Sequence, residues 1–306
     1  MPCYHPLTAY YSKEIGKSGK RGITFNRSAS FSGQALRVPC GQCIGCRLEK
    51  SRQWAMRCMH EKRLHKDNCF VTLTYDNEHL PVGGTLVKRD LVLFLKRLRN
   101  AKGPGVRFYA CGEYGDLNRR PHYHVLLFNA SFPDKLLWKH AKRGEPLYTS
   151  AELGSYWPFG FHSIGDVTFD SAAYVARYVM KKVTGPKAGS HYDVVDGDGV
   201  VHRRIAEFTN MSRGGRSGAG GIGKGWFDKY GAETYAHDSV VMNGRLVRPP
   251  RYYDGKFEVA DPSAMADIKR LRKRRAALQY KENLIDRRLV REKVQELNLK
   301  NLKREV

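Results

Sequence analysis

The chain has 306 residues, enough for one large or two modest domains with ample core. Its 54 Lys and Arg against 30 Asp and Glu leave a formal charge of +24, which points to a polyanionic partner held through counterion release from phosphates. Apolar runs fall far short of the roughly 20 residues that a membrane span needs, and the N-terminus lacks a basic-then-apolar signal pattern, so a cytoplasmic protein without membrane association is expected.

Residues 1–67 form a cysteine-rich region. Four of the seven cysteines lie within the first 46 positions, and Cys40-Gly-Gln-Cys43-Ile-Gly-Cys46 is a C-x2-C-x2-C run with Cys3 as a distant fourth thiol. Four thiolates would make a closed tetrahedral Zn²⁺ site, structural rather than catalytic. An iron–sulfur cluster and plain reduced thiols in a Gly-rich turn compete with that reading. The polar stretch from Lys13 to Ser32 reads as loop or short strands, and Arg47 to Lys66 as a helix in which Cys58 packs rather than ligates.

The core is expected over 68–185. Phe70 to Tyr75 is rich in β-formers, Thr85 to Asn100 is an amphipathic helix with Leu91, Phe94, Leu95 and Leu98 on one face, and Gly103-Pro104-Gly105 ends it. Val106 to Glu113 is a second strand, turned by Gly115 to Arg119 into an antiparallel strand at His122–Phe128. His122 and His124, two apart on a strand, share a face, and the hairpin sets Glu113 beside His122. Two imidazoles and a carboxylate suit Mg²⁺ or Mn²⁺, leaving positions open for phosphate oxygen and water. A short helix is expected over Pro133 to Arg143 and a strand over Gly160 to Val167, where His162 is an extra ligand, a DNA contact or a structural histidine.

Asp170 to Lys182 reads as a helix with Asp170 or Ser171 as N-cap. Tyr174 and Tyr178, four apart, share a face, with Lys181 and Lys182 close by. A phenol is a weak nucleophile at neutral pH, so attack on a phosphodiester needs a metal to polarise the phosphate and a cation to offset developing charge. The alternative is an ordinary packed stripe.

The strand His122-Tyr-His124-Val-Leu-Leu-Phe, followed by Tyr174-Val-Ala-Arg-Tyr178-Val-Met-Lys-Lys, resembles the HUH endonuclease superfamily, and in particular the rolling-circle replication initiators of microviruses of the gokushovirus branch. Phe70 to Tyr75 is similar to the first initiator motif, and the Cys40–Cys46 run to the cysteine run of those initiators. The resemblance covers roughly residues 1 to 230. It departs from the pattern at Tyr123, which is bulky and amphipathic where an aliphatic residue is usual. It implies an α+β fold, an antiparallel sheet with flanking helices (RRM/ferredoxin-like), and a metal-dependent enzyme that nicks and religates single-stranded DNA through a 5′-phosphotyrosine. Single-stranded DNA and a phage replication origin are the implied partners, in the host bacterial cytoplasm.

Residues 186–260 are a Gly/Arg/Tyr-rich extension, and 261–306 a basic helical tail expected as one long basic C-terminal helix. Gly218 to Lys224 satisfies two nucleotide-loop patterns by spacing, but no apolar strand precedes it and Gly225 replaces the required Ser or Thr, so nucleotide binding is rejected. Strand separation then calls for a separate helicase, expected from the host. Arg213, Arg216 and Lys224, with Arg177 from the tyrosine helix, are candidate DNA contacts. Rival readings are an HUH relaxase or transposase, a two-His-one-carboxylate Fe(II) oxygenase, and a non-catalytic basic DNA-binding protein. Charge, the close H-x-H spacing and paired tyrosines argue against the oxygenase.

Overall fold

A computed structural model describes residues 3–16, 21–116, 118–141, 144–177, 182–183, 185–186, 188–214 and 220–301. The chain divides into two compact units, Met1–Lys50 with Lys269–Val306, and Ser51–Ile268.

The smaller unit holds a three-stranded antiparallel sheet made of β1 (Leu7–Ile15), β2 (Arg21–Thr24) and β3 (Leu36–Val38), in the order β2-β1-β3. The stretch expected as loop or short strands is thus partly a hairpin, with Tyr10 opposite Thr24. Helix α1 (Ile44–Lys62) begins three residues earlier than expected, so Cys46 sits in its first turn.

The larger unit is built on a seven-stranded antiparallel sheet. Its first strands are β4 (Asn68–Thr74), β5 (Arg107–Tyr114) and β6 (Pro121–Phe128), with α2 (Lys88–Lys102) between the first two. Then come β7 (Leu136–His140), β8 (Pro146–Thr149), α3 (Ala151–Tyr156), β9 (His162–Gly165), α4 (Phe169–Arg177) and α5 (Ala188–Tyr192). A small hairpin, β10 (Asp193–Val195) with β11 (Val201–Arg203), precedes β12 (Phe208–Met211). The sheet order is β12-β5-β6-β4-β9-β8-β7. The extension expected at 186–260 therefore supplies an edge strand, and the sheet continues past residue 185.

The helix expected over Pro133 to Arg143 is instead the strand β7. Its residues are exposed throughout, and pairing with β8, Leu136 opposite Thr149, selects the extended form over a local preference that tertiary context overrides. After β12 come α6 (Lys224–His237), the hairpin β13 (Val240–Met242) with β14 (Arg245–Val247), and α7 (Arg251–Ala260). The tail is not one helix but α8 (Pro262–Leu278) and α9 (Ile285–Asn301), separated by a 3-10 turn at Tyr280–Asn283.

Strand alternation sends the apolar residues of β4, β5 and β6 to opposite faces. On one face Leu73, Phe108, Ala110, Tyr123, Val125 and Leu127 bury against Leu91, Phe94 and Leu98 of α2 and Leu153 of α3. On the other, Tyr109, Cys111, Leu126 and Phe128 bury against Ala55 and Cys58 of α1 and Ala172, Val175 and Ala176 of α4. Cys58 is fully buried, as a packing residue should be, and burial pushes its thiol pKa up. Alanines on α4 let that helix lie close to the sheet, and Ser51 Oγ donates to the Ala173 carbonyl at 3.0 Å. The helix start is fixed by Thr168 rather than by Asp170 or Ser171 alone: the Ser171 N–H donates to Thr168 Oγ1 at 3.1 Å while the Thr168 N–H donates to Ser171 Oγ at 2.8 Å. That reciprocal pair satisfies two backbone donors at once. Among the described residues no helix is long and apolar enough to cross a membrane.

Candidate metal centre and tyrosine helix

The β5–β6 hairpin places Glu113 directly opposite His122, and His124 opposite Cys111. The side chains of Glu113, His122 and His124 converge, with one potential ligand atom from each lying within 4.8 Å of the others. Glu113 Oε1 is 2.8 Å from His122 Nε2 and 2.9 Å from His124 Nε2. All three are buried on the face that carries α4.

Outer contacts set the ring orientations. His122 Nδ1 lies 3.1 Å from the Arg120 carbonyl, an acceptor only, so Nδ1 carries the proton. A neutral His122 then turns a bare Nε2 lone pair toward the Glu113 carboxylate. Two acceptors at 2.8 Å need a proton or a cation between them. His124 Nδ1 is 3.0 Å from Thr72 Oγ1 on the neighbouring strand, and its ring stacks on Phe70 at 5.4 Å between centroids. Anchored Nδ1 atoms with Nε2 atoms pointing inward are the arrangement of metal-binding histidines. Burial works to raise the Glu113 pKa, but hydrogen bonds and positive charge from His122 and His124 outweigh it and hold it at about 2. The carboxylate stays ionised, as a ligand must.

Tyr174 lies against this cluster, its ring edge-on to that of His124 with centroids 5.2 Å apart. Tyr178 and Lys181 lie outside the described residues, as does Arg216; Lys182 is exposed and Arg177 half-buried. Tyr123, the departure from the resemblance, points to the opposite face. Its hydroxyl accepts from the Val87 N–H at 2.8 Å, donates to the Val87 carbonyl at 2.8 Å, and sits 2.9 Å from the Tyr75 hydroxyl. Tyr75 in turn donates to Asp90 at 2.7 Å. Tyr123 therefore ties the sheet to the start of α2 and contributes no atom to the face that carries Glu113, His122 and His124. His162 accepts from the Ser150 N–H at 3.1 Å, a structural contact apart from the Glu113 cluster. Arg213 and Lys224 line a separate cleft, where Lys224 pairs with Asp228 at 2.5 Å.

Sequence reasoning missed Thr72. Its position was recoverable, because period-2 alternation on β4 puts it across from His124 once the strands are paired.

In the smaller unit Cys3, Cys40, Cys43 and Cys46 converge with their sulfurs within 4.8 Å of one another. Cys3 Sγ is 3.6 Å from Cys40 Sγ and 3.9 Å from Cys43 Sγ, close to the roughly 3.8 Å edge of a tetrahedron with metal–sulfur bonds of about 2.3 Å. Backbone N–H groups of Cys40, Tyr4 and Cys43 donate to Cys3, Cys43 and Cys40 sulfurs at 3.2, 3.4 and 3.3 Å. Gly41, at φ +76°, allows the left-handed turn between the first two thiols of the run. Burial acts to raise the Cys43 pKa, but the N–H donors and neighbouring thiols bring it down to about 6. These sulfurs fit a tetrahedral thiolate site.

The family model described as replication-associated protein ORF2/G2P matches residues 68–183, the stretch from β4 past α4. Replication-associated protein VP4 of Bdellovibrio phage phiMH2K is 33% identical, covering 94% of this chain and 88% of its own length. Replication-associated protein ORF2 of Spiroplasma virus 4 is 34% identical over 72% of this chain and 68% of its own. Replication-associated protein ORF4 of Chlamydia phage 1 is 28% identical over 71% of this chain and 52% of its own. No solved structure matches. With a relative of this identity aligned along almost its whole length, and with the Glu113 cluster and Tyr174 inside the family match, the chain belongs to the replication-associated proteins of small bacteriophages.

Proposed function

We propose that this protein is the rolling-circle replication initiator of its phage, an HUH-type endonuclease that nicks and rejoins single-stranded DNA through a 5′-phosphotyrosine. The observation that carries the reading is the convergence of Glu113, His122 and His124, with the ring of Tyr174 packed against that of His124. Glu113, His122 and His124 would hold Mg²⁺ or Mn²⁺, and the Cys3, Cys40, Cys43 and Cys46 sulfurs would hold Zn²⁺ in a structural site. A bound divalent ion supplies charge that polarises the scissile phosphate and steadies its developing negative charge.

The chain's own groups do the rest. The Tyr174 hydroxyl attacks phosphorus, an O–P bond forms, and the bond to the 3′-oxygen breaks. The phenolic proton ends on that oxygen, leaving a free 3′-hydroxyl and a 5′-phosphotyrosine. Attack by a 3′-hydroxyl on this ester reverses the exchange and seals a strand without external energy. Tyr178, four residues on, gives a second phenol for alternating rounds, and Lys181 and Lys182 offset charge on the phosphate. Arg177, Arg213, Arg216 and Lys224 steady the strand by its phosphates. The reaction would take place at the phage origin in the host cytoplasm, with a host helicase separating the strands.

The test is incubation of circular single-stranded DNA with Mn²⁺ and a denaturing gel for protein–DNA adduct, comparing wild type with Tyr174→Phe, Tyr178→Phe and the double variant. Adduct lost only in the double variant makes both phenols competent, and loss in one single variant names the initiating tyrosine. Wild type forming no adduct on any strand, origin DNA included, overturns the reading.

A further inference from the structure

Away from the Glu113 cluster the larger unit carries a cleft of about 480 Å³, lined among others by Trp54, Arg57, Arg213, Gly221, Tyr252 and Lys256. Among the lining residues is Arg57, only 9% exposed. The guanidinium lies between two rings, its carbon 4.1 Å from the Trp54 centroid and 3.8 Å from that of Tyr252. Trp54 is backed by Tyr109, stacked at 4.8 Å, so tyrosine, tryptophan, guanidinium and tyrosine form one column. Arg57 Nε donates to the Ile222 carbonyl at 2.9 Å, which fixes the plane of the guanidinium.

Arg57 forms no ion pair among the described residues. A buried cation without a counter-charge is costly, and here three further cations, Arg213, Lys224 and Lys256, line the same cleft. Of these, only Lys224 has an acidic partner among the described residues, Asp228. A fixed, planar guanidinium suits phosphate oxygens, which it can meet with two parallel N–H groups. Gly221, also in the lining, leaves the space beside these groups clear: a Cβ there would lie 3.2 Å from Arg57 Nη2 and 3.4 Å from the Tyr252 hydroxyl.

The cleft is also placed for a strand that reaches the tyrosine. Tyr109, which backs the column, and Glu113 lie on the same face of β5, four residues and so roughly 13 Å apart along the strand. We propose that this cleft is a second strand-binding site, in which Arg57, ringed by Arg213, Lys224 and Lys256, holds a backbone phosphate of single-stranded DNA. It takes the identity of the polyanion from the nicking reading and nothing else. Tyr252, at the end of the column, offers an aromatic surface of the kind that single-strand sites use for stacking.

The test measures binding of a fluorescent oligothymidylate by full-length protein in EDTA, over a range of NaCl, so that no cleavage contributes. Removing one cation from a phosphate lowers the slope of log K against log salt by about 0.7 on single strands. Arg213→Gln and Lys256→Gln, both at exposed positions, should each lower it by about that amount, while Lys139→Gln, on the exposed edge strand β7, should leave it unchanged. Arg57→Lys keeps the charge but loses the planar fork, and should weaken binding at least roughly tenfold, measured at a temperature where the thermal melt shows the variant still fully folded. A 5-iodouracil strand should photocrosslink to Tyr252.

Equal slopes in all variants, or crosslinks confined to other surfaces, overturn the site. So does inorganic phosphate binding in this cleft while strand binding is untouched, which would make it a free-anion site. The nicking reading fails separately: wild type that binds strands with the expected slope yet forms no adduct with Mn²⁺ sinks that reading and leaves this one standing.

Discussion

The ring of Tyr174 meets the ring of His124 edge-on, 5.2 Å between centroids and 78° between planes. This pairing joins a helix residue to a strand residue 50 positions earlier, and it brings the expected nucleophile to the one buried cluster of imidazole and carboxylate among the described residues. His124 is held from its other side by Phe70 and at Nδ1 by Thr72.

Thr72 should therefore matter without touching metal. Thr72→Val keeps the shape of the side chain but removes the hydroxyl beside His124 Nδ1. Mn²⁺ affinity, followed by the loss of the free-ion EPR signal, should fall roughly 10- to 100-fold, the range typical for outer-shell partners of metal-bound histidines. Thr72→Ser should restore most of it. Unchanged affinity in the valine variant would show that Thr72 does not orient the ring.

Glu113 sets a pH dependence in the metal-free protein. Its folded pKa, about 2, lies below the ordinary 4.5, so the unfolded chain binds its proton more readily. The stabilisation is complete above about 4.5 and is lost as pH falls toward 2, on the order of 3 kcal/mol in full. Urea unfolding in EDTA across that window should show the decline in wild type, and Glu113→Gln should remove this component of it.

Tyr123→Phe separates the two faces of the hairpin. It leaves the Val87 N–H and carbonyl without their hydroxyl partner, which should cost about 1–3 kcal/mol in chemical denaturation. Mn²⁺ binding should be retained, because strand alternation turns residue 123 away from His122 and His124. A loss of metal affinity larger than the loss of stability would contradict this division.

Cys43→Ser tests the thiolate site in the smaller unit. Wild type purified without chelator should release one equivalent of Zn²⁺ to a colorimetric chelator after thiol modification, and the variant far less. Absorbance of an iron–sulfur chromophore in the purified protein would replace zinc by a cluster, and metal-free wild type would leave four reduced thiols.

What the sequence determined by itself was local and periodic. The two-residue spacing of His122 and His124 puts them on one face, the turn at Gly115–Arg119 folds Glu113 back beside them, and the apolar period within Thr85–Asn100 makes a helix, which the structure has at Lys88–Lys102, because these follow from backbone geometry within a few residues. The C-x2-C-x2-C run was legible for the same reason, although only folding brings Cys3 to it across 37 residues. The tertiary structure decided everything that depends on distant pairing. It put Tyr174 against His124, made Leu136–His140 a strand instead of a helix, added Phe208–Met211 to the sheet edge, and closed Trp54, Arg57 and Tyr252 into one column from helices nearly 200 residues apart. Such arrangements exist only once apolar faces are buried against each other, and no short window of sequence carries the energy that selects them.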